Sequence, residues 1–206
     1  MGDWFKDKLF LKPQPPRPPI VSPIPPLLAL PANAPTRAVQ MLIVDPDYPV
    51  DHALRMQAMA AAIASHAGVR LAFPPIAKYE RAAWINFVEE MIPSVRNYAA
   101  AHENHPVLLV KTIFLSRPTD TRFVGGLGSS KFSVLAAVSC TTSLFHEIAH
   151  AAGLPHRDTD SNVMHGRVCG DSMTKFDADQ AETFRNWATT KTVASRTADA
   201  LYVCGG

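Results

Sequence analysis

Charge is scarce and evenly balanced in this 206-residue chain: Asp, Glu, Lys and Arg make up 18% of it, and the formal net charge is +2. So small an excess leaves no electrostatic footprint for nucleic acid or an acidic membrane surface. Long hydrophobic runs are missing too. The richest, from Ile20 to Leu30, is interrupted by Pro23, Pro25 and Pro26, and nothing reaches the roughly 18 uninterrupted apolar residues that a membrane span needs. Cysteine is limited to Cys140, Cys169 and Cys204, an odd number too widely spaced for a dense disulfide framework. One bridge is open to them, Cys169 with Cys204 or Cys140 with Cys169, and so is a set of free buried thiols. The opening MGDWFKDKLF mixes Asp and Lys ahead of any apolar run and lacks a small-residue cleavage site, so it does not read as a secretory signal. The expected location is the cytoplasm, a place reached by a route that leaves no such signal, or one reached after a signal has been removed.

What is present is an ordinary globular composition, 47% apolar, in a chain long enough for one well-buried domain or one domain split into two lobes plus a tail. Ten of the eighteen prolines fall between residues 13 and 35. Proline lacks the N–H that a helix or central strand requires, so residues 1–38 are expected as an extended tail or linker. With five Lys and Arg against two Asp, this tail serves as a spacer, as a docking peptide for a partner domain, or as a strap on the body.

The folded part is expected from Val39. Val39–Val44 reads as a strand, closed by the turn Asp45-Pro46-Asp47. Asp51 is a candidate N-cap for a helix from His52 to His66, with Gly68 placed to close it. Val69–Phe73 is a second short strand. Trp84, Val88, Met91, Val95 and Tyr98 recur at spacings of three and four, one face of a long helix that Pro93 kinks or divides. Val107–Leu115 and Phe132–Val138 read as buried strands, with Gly125-Gly126-Leu127-Gly128 as a flexible link between them. Asp45, Asp47 and Asp51 have calcium-type oxygen ligands, but acidic residues are also common in Pro-rich turns, and the cluster is left unassigned. His52, His66, His102 and His105 lack ligand spacing and are expected to be exposed or internally satisfied.

The chemistry concentrates in His146-Glu147-Ile148-Ala149-His150-Ala151-Ala152-Gly153-Leu154-Pro155-His156. On a helix capped by Thr141 or Thr142, His146 and His150 stand one turn apart on the same face, and their imidazoles converge on one ion. Glu147, beside the first ligand, reaches a metal-bound water without ligating the metal. Gly153 allows the left-handed turn that swings His156 back as a third ligand. Three neutral imidazoles and an open fourth position describe one catalytic zinc rather than a structural one. With this chain's His, Glu and Gly frequencies the pattern arises by chance on the order of once in 10⁵ such chains.

This stretch resembles the extended zinc motif of the metzincin clan of metallopeptidases. The resemblance is firm over residues 140–190. It implies a methionine-containing turn beneath the zinc, for which Ser161-Asn162-Val163-Met164 stands in the right place, with Met164 a hydrophobic floor and not a ligand. It also implies an α+β domain of two lobes. An amino-terminal lobe, residues 39–153, would hold a mixed twisted sheet, two helices and the active-site helix. A small carboxyl-terminal lobe, residues 154–206, would end in a helix carrying Phe176, Gln180, Phe184 and Trp187. Two positions depart from the familiar families. Arg157 follows the third His, and Gly166 stands where some families have a tyrosine, leaving His165 or Arg167 as the nearest side chain to steady a transition state.

The resemblance further implies an endopeptidase whose protein or peptide substrate lies along an exposed sheet edge, offered by the segment after Gly126. Glu147 then activates the water and returns the proton to the leaving amine. Asp158, Asp160 or Asp177 would orient a ligand imidazole. No cysteine precedes Cys140, so latency by a thiol from an amino-terminal segment is not expected; Asp3 or Asp7 is a conceivable occupant of the zinc instead. A compact peptidase with a Pro-rich leader also suits a toxin delivered by a specialised secretion apparatus. Two other readings stand beside this one. Glu182 could replace His156 as the third ligand, or the chain could be a Pro-rich binding or adaptor protein with a non-catalytic zinc site.

Overall fold

The computed structural model describes residues 23–79, 93, 96, 97, 99, 100, 104–110, 113, 124–166, 174–190 and 201–205. Among these the chain runs β1 (Thr36–Ile43), α1 (Val50–His66), β2 (Arg70–Ala72), β3 (Ala77–Lys78), β4 (His105–Val110), β5 (Val124–Ser129), β6 (Ser133–Ala136), α2 (Ser143–Ala151), α3 (Ala178–Thr190) and β7 (Leu201–Gly205). The helix expected through Trp84, Val88, Met91, Val95 and Tyr98 falls on residues outside those described, as do His102, Arg167 and Cys169; positions 93, 96, 97, 99 and 100 are helical.

The strands form one mixed sheet in the order β2-β1-β4-β6-β5-β7, with β3 sharing the outer edge of β1 with β2. The pairs β1–β2, β1–β3, β1–β4 and β4–β6 are parallel. β5 runs antiparallel to both β6 and β7. Every residue of β4 is buried, because both faces of the sheet are covered. Val107 and Leu109 belong to the larger core, with Met56, Met59 and Ile63 of α1, Phe145 and Ile148 of α2, and Phe184 and Trp187 of α3. Leu108 and Val110 turn to the opposite face, beside Leu127, Phe132 and Val134.

Three local expectations change. Asp51 does not cap α1: the N-cap is Pro49 with no side-chain cap, and Asp51 lies in the first turn, where its charge favours the helix dipole. Gly68, at φ 77°, does close this helix. The glycine-rich stretch 125–128 is not a flexible link but lies within β5, bonded on both sides. Its irregular backbone is confined to a register shift between Val124 and Gly126. The carboxyl-terminal part does not end in a helix either. Beyond α3 the chain returns to the main sheet as β7.

The Pro-rich stretch from Pro23 onward lies on the body. The Leu28 N–H donates to Ser65 Oγ at 3.0 Å, Pro26 O is 3.0 Å from His66 Nε2, and Arg70 donates to Pro31 O at 3.2 Å. Cys140 is disulfide-bonded, so the Cys169–Cys204 pairing, which leaves Cys140 free, does not hold.

His105 opens β4 wholly buried, hydrogen-bonded through Nε2 to the Ser133 hydroxyl at 2.9 Å and edge-on to Trp187. Burial, with Arg37 adding to it, brings its pKa down from 6.5 to about 3. The unfolded chain therefore takes up a proton below about 6.5 that the folded chain refuses until about 3, and stability falls as the pH drops through that window. Urea unfolding of wild type and His105→Gln between pH 6 and 4 should show the wild type losing up to roughly 1.4 kcal/mol more per pH unit. Parallel curves would contradict this account.

Candidate metal centre

α2 is short, nine residues from Thr142 at its N-cap, and no side-chain hydrogen bond caps it. Its place is held by packing instead. Phe145 packs edge-on against Phe176 at 5.2 Å and tilted against Phe184 at 5.0 Å, and Phe184 lies tilted against Trp187 at 5.3 Å, so α3 backs the helix through an aromatic cluster. β5 lies against another side of α2.

His146 and His150 fall one turn apart on α2. The chain leaves the helix at Ala152, and Gly153 takes φ 86°, a left-handed conformation costly for any residue with a Cβ. The segment beyond it brings His156 back. The three Nε2 atoms then form a triangle: His146 to His150 is 3.0 Å, His150 to His156 3.1 Å and His146 to His156 3.3 Å. Zinc–nitrogen bonds of about 2.0–2.1 Å at tetrahedral angles put ligand nitrogens roughly 3.3–3.4 Å apart. Among the described residues no other group of three His, Cys, Asp or Glu side chains converges in this way.

The outer nitrogens decide which atoms face the triangle. His146 Nδ1 donates to Val163 O and His150 Nδ1 to Leu154 O, both at 2.7 Å. A carbonyl only accepts, so each Nδ1 carries the proton. Burial, the largest cause, holds His146 down to about 4 and His150 down to about 2. His156 is half-buried and lowered for the same first reason, with His165 next. Neutral rings protonated at Nδ1 leave the Nε2 lone pairs of His146 and His150 pointing inward. Lone pairs at such distances repel one another unless a cation lies among them, so the donor set fits zinc.

For His146 and His150 the orienting groups are main-chain carbonyls and not the carboxylates expected in that role. Asp177 accepts from Asn162 Nδ2 at 3.2 Å, and Asp160 lies 3.9 Å from His165 Nε2. Asp158 raises the His156 pKa from a distance. The turn carrying Met164 is tightly held. Asn162 Oδ1 accepts from the Met164 N–H at 2.8 Å, Asn162 donates to Gln180 Oε1 at 2.7 Å, and Met164 O accepts from the Arg157 N–H at 2.9 Å. Met164 itself is fully buried. Arg157, the residue that departs from the familiar motif, forms an exposed ion pair with Asp179 in the first turn of α3, which links the loop carrying His156 to that helix. Gly166 has an equally local reason: a Cβ there would stand 2.8 Å from His156 Nδ1. His165 is half-buried in the same turn and lowers the pKa of both His146 and His156. Glu182 is exposed on α3 and does not join the triangle.

Glu147 is buried at 1% exposure. A Cβ on Gly126 would collide with its Oε1, and one on Gly128 would come within 2.6 Å of Oε2 and 2.8 Å of His150 Cβ. Alternate residues of a strand share a face, so these two glycines form a bare track on which the carboxylate rests. The substrate edge expected after Gly126 is not exposed. β7 pairs with β5 from Val124↔Gly205 to Ser129↔Leu201. From that strand Tyr202 stacks on His150, with ring centres 4.1 Å apart and planes at 4°, and lies 6.0 Å from His156. Tyr202 is the neighbour of the site that sequence reasoning missed. Leu201-Tyr202-Val203 does carry a short β-prone signal, but nothing in it names the partner strand.

No protein-family model and no curated protein sequence matches the chain. Solved structures do. Metalloproteinase-II from Bacteroides fragilis superposes with a TM-score of 0.54 at 14% identity, over 80% of this chain and 57% of that one. This chain thus spans a little over half the length of that metalloproteinase. An archaemetzincin from Methanopyrus kandleri gives 0.48 at 12% identity, over 83% and 96% of the two chains. A zinc-dependent peptidase from Methanocorpusculum labreanum gives 0.46 at 11%, over 77% and 97%. At such identities the likeness to the Bacteroides protein is one of fold.

Two outcomes follow. Calorimetry should find one zinc per chain, and zinc held at a hundred times its Kd should raise the unfolding free energy by about 2.7 kcal/mol, a gain that a chelator abolishes. His156→Ala should weaken zinc binding at least a hundredfold while Glu182→Ala leaves it unchanged; the reverse would move the third ligand to α3. Separately, Gly126→Ala should cost about 1–3 kcal/mol in urea unfolding, because the added methyl must displace a buried carboxylate. A change within 0.5 kcal/mol would show that the track is not needed.

Proposed function

We propose that this chain is a zinc-dependent endopeptidase of the metzincin type, with His146, His150 and His156 as ligands of one catalytic zinc and Glu147 as general base. The observation that carries the proposal is the triangle of inward-facing imidazole nitrogens beside a buried carboxylate. The likeness in fold to a protein described as a metalloproteinase supports it. Zinc, when bound, supplies Lewis acidity that makes hydroxide available near neutral pH and polarises a carbonyl. The residues of the chain supply the rest. The Val163 and Leu154 carbonyls lock the ring orientations of His146 and His150. Glu147, fixed against Gly126 and Gly128, takes the proton of the attacking water on a carboxylate oxygen and hands it to the leaving amine nitrogen. Met164 and its turn form the floor of the site, and Gly153 and Gly166 are the backbone positions that let His156 reach it. His165, or Arg167 two residues further on, is the candidate side chain to steady developing charge.

The substrate class is a protein or peptide taken in extended form, since an antiparallel strand alongside β5 meets Glu147 and the metal ligands together. The disulfide at Cys140 favours work in an oxidising compartment, which agrees with an exported protein better than with a cytosolic one.

Glu147→Gln keeps the shape of the side chain and removes its basicity. In zinc-loaded protein it should lower hydrolysis of denatured, fluorescein-labelled casein by roughly 10²–10⁴-fold with the zinc content unchanged. Equal cleavage by variant and wild type would end the reading of Glu147 as the base.

A further inference from the structure

An extended peptide can join a sheet only where a strand has an unpaired edge. β5 has two edges: β6 takes one and β7 takes the other. β5 is also the strand on which Glu147 rests, through Gly126 and Gly128. A second strand cannot occupy the edge that β7 holds. Directly opposed residues of an antiparallel pair project to the same face of the sheet. Tyr202 is opposite Gly128, and Gly128 faces Glu147 and His150. Register therefore carries the Tyr202 ring to the metal centre, and it is there, flat against His150 and next to His156.

We propose that Leu201–Gly205 is an internal blocking strand: it lies where a substrate strand binds, with Tyr202 as the side chain seated over the metal ligands, and it must leave β5 before a substrate can enter. The proposal rests on the peptidase reading of the same site. It is a means of holding the site latent through main-chain pairing and one aromatic ring. It also describes what the groove accepts. The occupant is an extended strand antiparallel to β5, with an aromatic side chain at the position facing Gly128.

The alternative is that β7 is a permanent part of the sheet and Tyr202 a working part of the site. The two predict opposite effects of removing the ring. Tyr202→Ala deletes it. The double variant Tyr202→Pro, Val203→Pro strips the pairing, since successive N–H groups point to opposite sides of a strand and one of the two faces β5. Both are made in the full chain and loaded with zinc, with zinc content and far-ultraviolet circular dichroism as checks of integrity. Two quantities are read: the Kd of a tripeptidyl hydroxamate by calorimetry, and the rate of hydrolysis of fluorescein-labelled casein.

The expected result is at least tenfold tighter hydroxamate binding and at least tenfold faster hydrolysis in both variants, with the free acetylated peptide of residues 201–205 competing against the hydroxamate. Unchanged or weaker hydroxamate binding in a variant that keeps its zinc overturns the proposal, and so does slower hydrolysis by Tyr202→Ala. If the double variant loses zinc or helical content, Tyr202→Ala decides alone. Tighter hydroxamate binding with no cleavage by any form upholds the blocking strand and rejects the peptidase. Cleavage by wild type with no gain in either variant does the opposite.

Discussion

Imidazole nitrogens that face one another across 3.0–3.3 Å repel unless a cation shares their lone pairs, and the surrounding structure is arranged to hold them there. Two main-chain carbonyls keep the protons of His146 and His150 on the outer nitrogens. Burial keeps these rings neutral. Gly153 permits the turn that brings in His156, and Gly166 leaves room for its ring. Binding of a metal and stability of this part of the fold are thereby coupled, because repulsion among the nitrogens opposes the folded state until an ion relieves it.

The second constraint is steric and comes from the sheet. The bare track of Gly126 and Gly128 lets α2 approach β5 closely enough for the Glu147 carboxylate to lie flat on the strand. The same closeness lets whatever pairs with the outer edge of β5 reach the metal ligands. Strand, carboxylate and imidazole triangle are therefore one packed unit that this edge borders. In this structure the occupant is β7.

Much of the fold and site was legible in the residues. The i, i+4 histidines, the glycine that ends their helix and the returning third histidine are separated by a few residues, so helix geometry and backbone sterics suffice to bring them together. α1 with Gly68 at its end, and the apolar strands β1 and β6, read correctly for the same reason, within a few residues at their ends; β4 was also legible, but it ends at Val110 where the pattern ran on to Leu115. Glycine misled. Gly125 to Gly128 looked like a flexible link, because conformational freedom is the commoner use of glycine. Gly126 and Gly128 alternate at the period of a strand, the signature of a close approach, but the approaching group, Glu147, is remote in sequence.

By itself the sequence determined which three imidazoles meet, and that a glutamate stands next to the first of them on the same helix. Those relations are local, set by 3.6 residues per turn and by one left-handed glycine. The tertiary structure alone decided that Arg157 pairs with Asp179 of α3, that main-chain carbonyls orient the rings of His146 and His150, and that Tyr202 lies on His150. Each of these joins segments distant along the chain. Strand pairing depends on main-chain N–H and C=O groups that every residue but proline carries, so no side-chain pattern in Leu201–Gly205 could announce that β5 is its partner.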